Sequence, residues 1–159
     1  MKKIVLTILL SAGLLWGAHA QYKHAIGIAL GSPSGITYKT FISGNNALDF
    51  TLGYGWTGGD GEFFGISGLY EIHSPITNAN GLSFYYGPGA HIGSWHEKDR
   101  SDNLFLGIDG AIGLEYMIPR VPIALSLDFR PGINLIGNHW DDHYHYFFWQ
   151  SQFGIKYTF

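Results

Sequence analysis

The sequence contains no cysteine and few charged residues. Of its 159 residues, 13% are charged and the formal net charge is −3, whereas a typical soluble domain has about 25% charged residues. The absence of cysteine excludes a disulfide-stabilised scaffold. The small negative net charge disfavours a basic nucleic-acid-binding domain, so we expect no nucleic-acid partner.

Glycine and aromatic residues are abundant instead. The chain has 23 glycines, 16% of its residues are aromatic, and 46% are hydrophobic. The hydrophobic fraction alone is ordinary for a globular protein. So much aromatic surface excludes a charge-rich disordered chain.

The first 20 residues have the features of a secretory signal peptide. Two lysines follow the initiator Met, an apolar run covers residues 4–16, and Ala18-His19-Ala20 is a small-x-small cleavage pattern. The apolar run is too short for a transmembrane helix, which needs about 20 residues. The pattern predicts a signal peptide at residues 1–20 and one mature domain at residues 21–159.

In the mature domain, large apolar residues alternate with small or polar residues at a period of two, which is typical of β-strands with two different faces. Eight such segments occur, separated by turns rich in Gly, Pro, Ser and Asn. The alternation therefore predicts an all-β domain of eight antiparallel strands connected in sequence order, an up-and-down meander.

The chemistry of the two faces indicates which one lies inside. The apolar face is mostly Leu, Ile, Phe, Tyr and Trp, and an eight-stranded barrel is too narrow to contain so many large side chains. The other face is rich in glycine, which weakens an exposed strand but fits a narrow interior. The polar face therefore points inward and the apolar face contacts lipid, as in a transmembrane β-barrel.

Strand number and orientation also follow from the sequence. Membrane strands need about 9–11 residues, so the mature domain accommodates eight strands and their connections, but not twelve. The aromatic end of the last strand predicts that the chain termini lie in the periplasm. The charged connections 97–103 and 137–145 then face outward, whereas the periplasmic turns carry little charge beyond Arg120.

Short motifs occur in order along the chain: Gly31-Ser32-Pro33-Ser34-Gly35-Ile36, Ala47-Leu48-Asp49, Tyr86-Gly87-Pro88-Gly89 and Pro119-Arg120-Val121-Pro122. They resemble a family of small, largely uncharacterised bacterial outer-membrane β-barrel proteins with the eight-stranded architecture of OmpA and OmpX. The resemblance implies the fold and an outer-membrane location, and it brings no catalytic residues. The terminal alternation resembles the signal read by the barrel assembly machinery, and it consists of Phe153, Ile155, Tyr157 and Phe159.

Ten ionisable side chains fall on the inward face of the predicted strands: Lys39, Asp49, Glu71, His73, His91, Asp109, Glu115, Asp128, Arg130 and Lys156. Because buried charges must be paired, we expect them to form a polar network that plugs the lumen. A second interpretation is a Ser-His-Asp hydrolase site, in which His91, Asp109 and Asp128 combine with Ser67 or Ser126.

The last outer connection concentrates possible metal ligands, which are His139, Asp141, Asp142, His143 and His145. Histidine and carboxylate groups could ligate zinc or copper. Their spacing matches no standard site, and a solvated loop has the same composition. We therefore expect no resident metal or cofactor and retain this loop only as a candidate.

Together these features predict an integral outer-membrane β-barrel protein, located there after signal-peptide cleavage, with a plugged lumen and a structural or surface-interaction role. Two alternatives remain open: an enzyme that modifies lipid or lipopolysaccharide, and a small-solute channel. The sequence assigns no catalytic residue. We expect a monomer whose partners are membrane lipid, lipopolysaccharide, the barrel assembly machinery and, through the loops, an extracellular ligand.

Overall fold

The computed structural model describes residues 22–56, 61–97, 103–137 and 147–159. The predicted signal peptide lies outside these residues. Eight strands are described: β1 (His24–Gly31), β2 (Ser34–Ser43), β3 (Asn46–Trp56), β4 (Gly61–Pro75), β5 (Leu82–Glu97), β6 (Asn103–Met117), β7 (Ile123–Ile136) and β8 (Phe147–Thr158).

The strands form one closed barrel in sequence order. Each strand pairs antiparallel with the next, and β8 returns to pair with β1 from Ala25 opposite Thr158 to Gly31 opposite Gln152. Closure gives every strand a partner on both sides and leaves no free sheet edge. The predicted eight-stranded antiparallel meander is confirmed.

The two faces of each strand differ as the alternation predicts. In β1, Ile26, Ile28 and Leu30 are about half exposed, whereas Ala25 and Ala29, which have the opposite parity, are buried. In β8, Phe153, Ile155 and Tyr157 are exposed and alternate with residues that are buried, whereas the inward Phe148 and Gln150 nearer the loop end are half-buried. The outer surface of the barrel is therefore apolar, and the polar residues of the strands line its interior.

The central strands are longer than the sequence analysis required. β4, β5, β6 and β7 contain 15, 16, 15 and 14 residues, whereas about 9–11 residues cross a bilayer. On one side of the barrel the strands are joined by the connections 57–60, 98–102 and 137–146. We call this side of the barrel the loop end, and the side that holds both ends of the barrel domain the terminal end.

The interior is not purely polar, because several large side chains also point into it. Near the loop end, Phe63 packs on Gly55 and Phe105 packs on Gly93. Glycine allows this packing, since a Cβ atom at either position would occupy the space of the ring. Other large inward side chains are Leu69, Tyr85, Trp95 and Phe148.

Within the part of the chain that the structure describes, no helix is long and apolar enough to cross a membrane.

Candidate functional site: the charged interior of the barrel

All ten ionisable residues of the predicted network are buried inside the barrel. They come from β2 to β8, so that residues far apart in sequence meet across the interior. Three groups of contacts can be distinguished: a cluster around Lys39 near the terminal end, an Asp128–Arg130 pair, and a His91–Asp109 pair.

Lys39 is the centre of the first group. Its Nζ atom lies 2.7 Å from Glu71 Oε2 and 2.7 Å from Glu115 Oε2, and 3.8 Å from Asp49 Oδ2. The same ammonium lies 4.8 Å from the centroid of the buried Tyr85 ring, a cation–π contact. The ammonium is thus surrounded by three carboxylates and an aromatic face, which offsets its loss of solvation.

Asp49 links this cluster to a second lysine. Its carboxylate accepts a short hydrogen bond from Lys156 Nζ and a 2.7 Å bond from Thr37 Oγ1. The partners lie on β2, β3 and β8, which adjoin where the barrel closes through β1. The ion pairs therefore connect the N-terminal strands to the C-terminal strand from within.

His73 extends the cluster toward the terminal end. Its Nε2 lies 2.9 Å from Glu71 Oε2, and its Nδ1 lies 3.3 Å from Ser83 Oγ. The imidazole ring stacks on Tyr85 with a centroid distance of 5.0 Å and also contacts Phe41 at 5.0 Å. Hydrogen bonds and ring contacts together fix the orientation of this side chain.

Tyr22, which lies outside the alternating segments of the sequence, closes the terminal end of the cluster. It precedes β1, is 8% exposed, and donates a 2.8 Å hydrogen bond from its hydroxyl to Glu115 Oε1. Burial is the main reason that the pKa of the Tyr22 phenol lies well above its usual value; Lys39 opposes this shift and Glu115 adds to it. The neutral phenol thus remains a hydrogen-bond donor, and its ring packs edge-on against Phe41.

Asp128 and Arg130 form the second group, both on β7. The guanidinium donates from Nε to Asp128 Oδ1 at 2.6 Å and from its terminal nitrogen to Oδ2 at 3.1 Å, a bidentate pair. Tyr85 donates a 2.7 Å bond to the same carboxylate. Two residues that share one face of a strand thus neutralise each other in the interior.

His91 and Asp109 form the third group, near the loop end. The His91 Nδ1 atom lies 2.8 Å from Asp109 Oδ1, an arrangement also found in hydrolytic triads. The other ring nitrogen, Nε2, lies 2.8 Å from the Asn134 side-chain oxygen. Asn134 therefore occupies the place that a nucleophilic serine would need, and Asp128 is bound to Arg130 and Tyr85 instead.

Aromatic rings cover the loop end of the interior. Phe63, Trp95 and Phe105 contact one another with centroid distances of 5.0–6.1 Å. Phe105 and Phe148 in turn contact the His91 ring at 5.7 and 5.1 Å. Aromatic residues are common on both faces of these strands. The sequence therefore identifies these rings as inward-facing only where neighbouring residues already show which alternate positions face the interior.

Two other groups of residues are predicted from the sequence: the candidate metal ligands of the last outer connection and the aromatic residues at the end of the chain. The possible metal ligands of the last outer connection lie outside the described residues. Among the residues that are described, no group of three or more His, Asp or Glu side chains could hold a metal ion. The terminal aromatic residues occupy the outward face of β8 and the residue after it, with Phe159 59% exposed.

The fold agrees with that of solved outer-membrane barrels. The N-terminal β-barrel domain of Pseudomonas aeruginosa OprF superposes with a TM-score of 0.60 and 13% identity, covering 87% of this chain and all of that domain. Neisserial surface protein A superposes with a TM-score of 0.54 and 14% identity, covering 86% of this chain and 93% of that protein. No protein-family model matches the chain, and no curated protein matches it in sequence. The chain therefore has the eight-stranded β-barrel fold found in these two proteins.

Proposed function

We propose that this chain is an integral outer-membrane protein whose barrel is closed to solutes and whose role is structural or surface-interacting. Its apolar exterior supports membrane insertion, since a closed barrel is the only sheet that satisfies all backbone groups in lipid. The fold likeness to two outer-membrane barrels supports the same location.

The observation that carries the closed-barrel proposal is the filling of the interior. The space bordered by Thr37, Ser126, Asp128, Arg130 and Lys156 is too small to admit a water molecule. Aromatic rings lie above the charged groups at the loop end, and Tyr22 with Phe41 lies below them. Ions would have to separate buried ion pairs and cross two apolar layers, so conduction is disfavoured.

Planar-bilayer recording tests this proposal directly. The refolded protein should produce no stable conductance steps in about 1 M KCl, where the Debye length is near 3 Å. A porin refolded by the same procedure is the positive control. Reproducible open steps from the purified barrel would contradict a closed lumen and favour the small-solute channel.

Protease accessibility tests the location and orientation. In the sequence, Lys98 and Arg100 fall between the end of β5 and the start of β6, whereas Arg120 lies in the turn between β6 and β7 at the terminal end. Trypsin added to intact cells should cleave after Lys98 or Arg100, and the variant Lys98→Ala with Arg100→Ala should resist. Cleavage of wild type only after the outer membrane is permeabilised would contradict surface exposure of the loop end.

A further inference from the structure

A groove on the outer surface of the barrel crosses β5 to β8. Its volume is about 360 Å³. Gly113 and Asp128 also border it, and the Asp128 carboxylate points inward to Arg130, so these two residues contribute main chain. The side chains that line it are Phe84, Ile112, Leu114, Leu127, Phe129 and Ser151. The side chains that line the groove therefore offer carbon and one hydroxyl group.

Strand register places the part of this groove around Leu114 and Leu127 in the half of the barrel nearer the terminal end, and the groove continues to Phe129 and Ser151 at mid-strand. Between β6 and β7, Leu114 pairs with Leu127, and the last pair of the ladder is Met117 with Ala124. At about 3.4 Å per residue, Leu114 lies roughly 10 Å along the strand from that last pair. This distance is within one leaflet, since half of the hydrocarbon core is about 15 Å thick.

An exposed arginine lies directly beyond the same two strands. The β6–β7 connection contains a tight turn in which the Val121 N–H donates to the Ile118 carbonyl at 3.3 Å. Arg120 is the third residue of this turn and has a φ of 68°. Gly or Asn is favoured at such a position, and a long side chain there stores backbone strain. The turn thus presents a cation where backbone geometry alone would favour glycine.

We propose that this face of the barrel binds one anionic glycerophospholipid. Arg120 contacts the phosphate, because a guanidinium donates paired hydrogen bonds to phosphate oxygens. One acyl chain then rises from the membrane interface into the groove between Leu114 and Leu127. The charged turn matches the phosphate of such a lipid, and the apolar groove above it matches an acyl chain. This lipid site is a further property of the chain beyond the proposed closed-barrel role.

Native mass spectrometry of the refolded protein in non-ionic detergent tests the inference, with dioleoyl phosphatidylglycerol as the probe. Wild type should retain one lipid at low lipid-to-protein ratio. Arg120→Gly removes the cation and fits the turn, so it should fold normally, as judged by its heat-modifiable gel mobility. It should bind the lipid about tenfold more weakly, as loss of a charged hydrogen bond implies.

The groove has a matched control on the same strand. Leu127 and Leu135 are both outward-facing on β7 and are 58% and 59% exposed, but only Leu127 lines the groove. Leu127→Ala should weaken retention severalfold, whereas Leu135→Ala should leave it unchanged. Equal losses in the two variants, or full retention by Arg120→Gly, would overturn the site.

Two further outcomes identify a different occupant. If lipid A is retained in place of phosphatidylglycerol and is lost in Arg120→Gly, the assignment to a glycerophospholipid is wrong. If wild type appears as a lipid-free dimer that Leu127→Ala dissociates, the groove is an interface between two copies of the chain. The conductance recording is independent of both outcomes, so a failure here leaves the closed-barrel proposal unaffected.

Discussion

The bidentate contact between Asp128 and Arg130 allows the energetics of the interior to be measured at the scale of a residue. Replacing Arg130 with Met leaves a buried carboxylate whose remaining described bond comes from Tyr85. We expect this variant to lose about 3–5 kcal/mol of unfolding free energy, because the unpaired charge stays desolvated. Urea unfolding in phospholipid vesicles, followed by tryptophan fluorescence, measures the loss.

The double variant Asp128→Leu with Arg130→Met is the control for this experiment. It removes both charges together, so it should lose less stability than Arg130→Met alone. Asp128→Leu alone completes the cycle, and a double variant whose loss equals the sum of the losses in Arg130→Met and Asp128→Leu would show that the pair is not energetically coupled.

At the same scale, the sequence predicts which charges are buried but not which of them meet. Strand parity alone places Lys39 and Glu115 on the inward face. Their 2.7 Å contact joins residues 76 positions apart, and it depends on the stagger of the strands and on the curvature of the closed barrel. Neither quantity is encoded in local alternation. For the same reason Asn134, which binds His91, is indistinguishable in sequence from any other inward polar residue.

At the scale of an element, β6 allows the proposed lipid exposure of the outward face to be tested by depth. Ile108 and Leu104 both point outward and are 50% and 58% exposed, but Ile108 lies near the middle of the strand and Leu104 near its loop end. Ile108→Arg should cost about 2–4 kcal/mol, whereas Leu104→Arg should cost about 0–1 kcal/mol, because the arginine reaches water more easily near an interface.

Equilibrium unfolding of the two arginine variants in vesicles provides the measurement. The inward position Gly107, between them, gives no equivalent control, since a side chain there would meet the His91 ring. If both arginine variants lost the same stability, the outward face of β6 would not have the depth dependence of a lipid-facing strand.

The strands themselves are the part of the structure that the sequence predicts best, and their number and order are confirmed. The period of two is a local property, and in this chain each outward face is apolar over nearly its whole length. The prediction is weaker at the ends of elements. Tyr22 is outside any alternating segment, so its insertion into the terminal end of the barrel follows from tertiary packing with Phe41 and Glu115.

At the scale of the whole molecule, the first and last strands of the barrel must meet to close it. His24 and Phe159 exchange two main-chain hydrogen bonds of 2.8 and 2.9 Å at the terminal end. The same region contains the Lys156–Asp49 contact across the interior. Closure is therefore supported by main-chain hydrogen bonds in the barrel wall and by an ion pair in the interior. Neither contact depends on the side chain of Phe159.

This independence allows an experiment to separate folding from the proposed recognition by the barrel assembly machinery. The Phe159 ring is 59% exposed and contacts His24 and Tyr157 on the outer surface. We expect Phe159→Ser to refold in detergent much like wild type, because the main-chain bonds to His24 remain. In cells the same variant should accumulate less of the heat-modifiable, membrane-inserted form, because it lacks the terminal aromatic residue of the proposed assembly signal.

Phe147→Ser, at the other end of β8 and 45% exposed, removes a similar ring without changing the terminus. A decrease of equal size in both variants would mean that lipid contact, rather than recognition of the last residue, explains the loss.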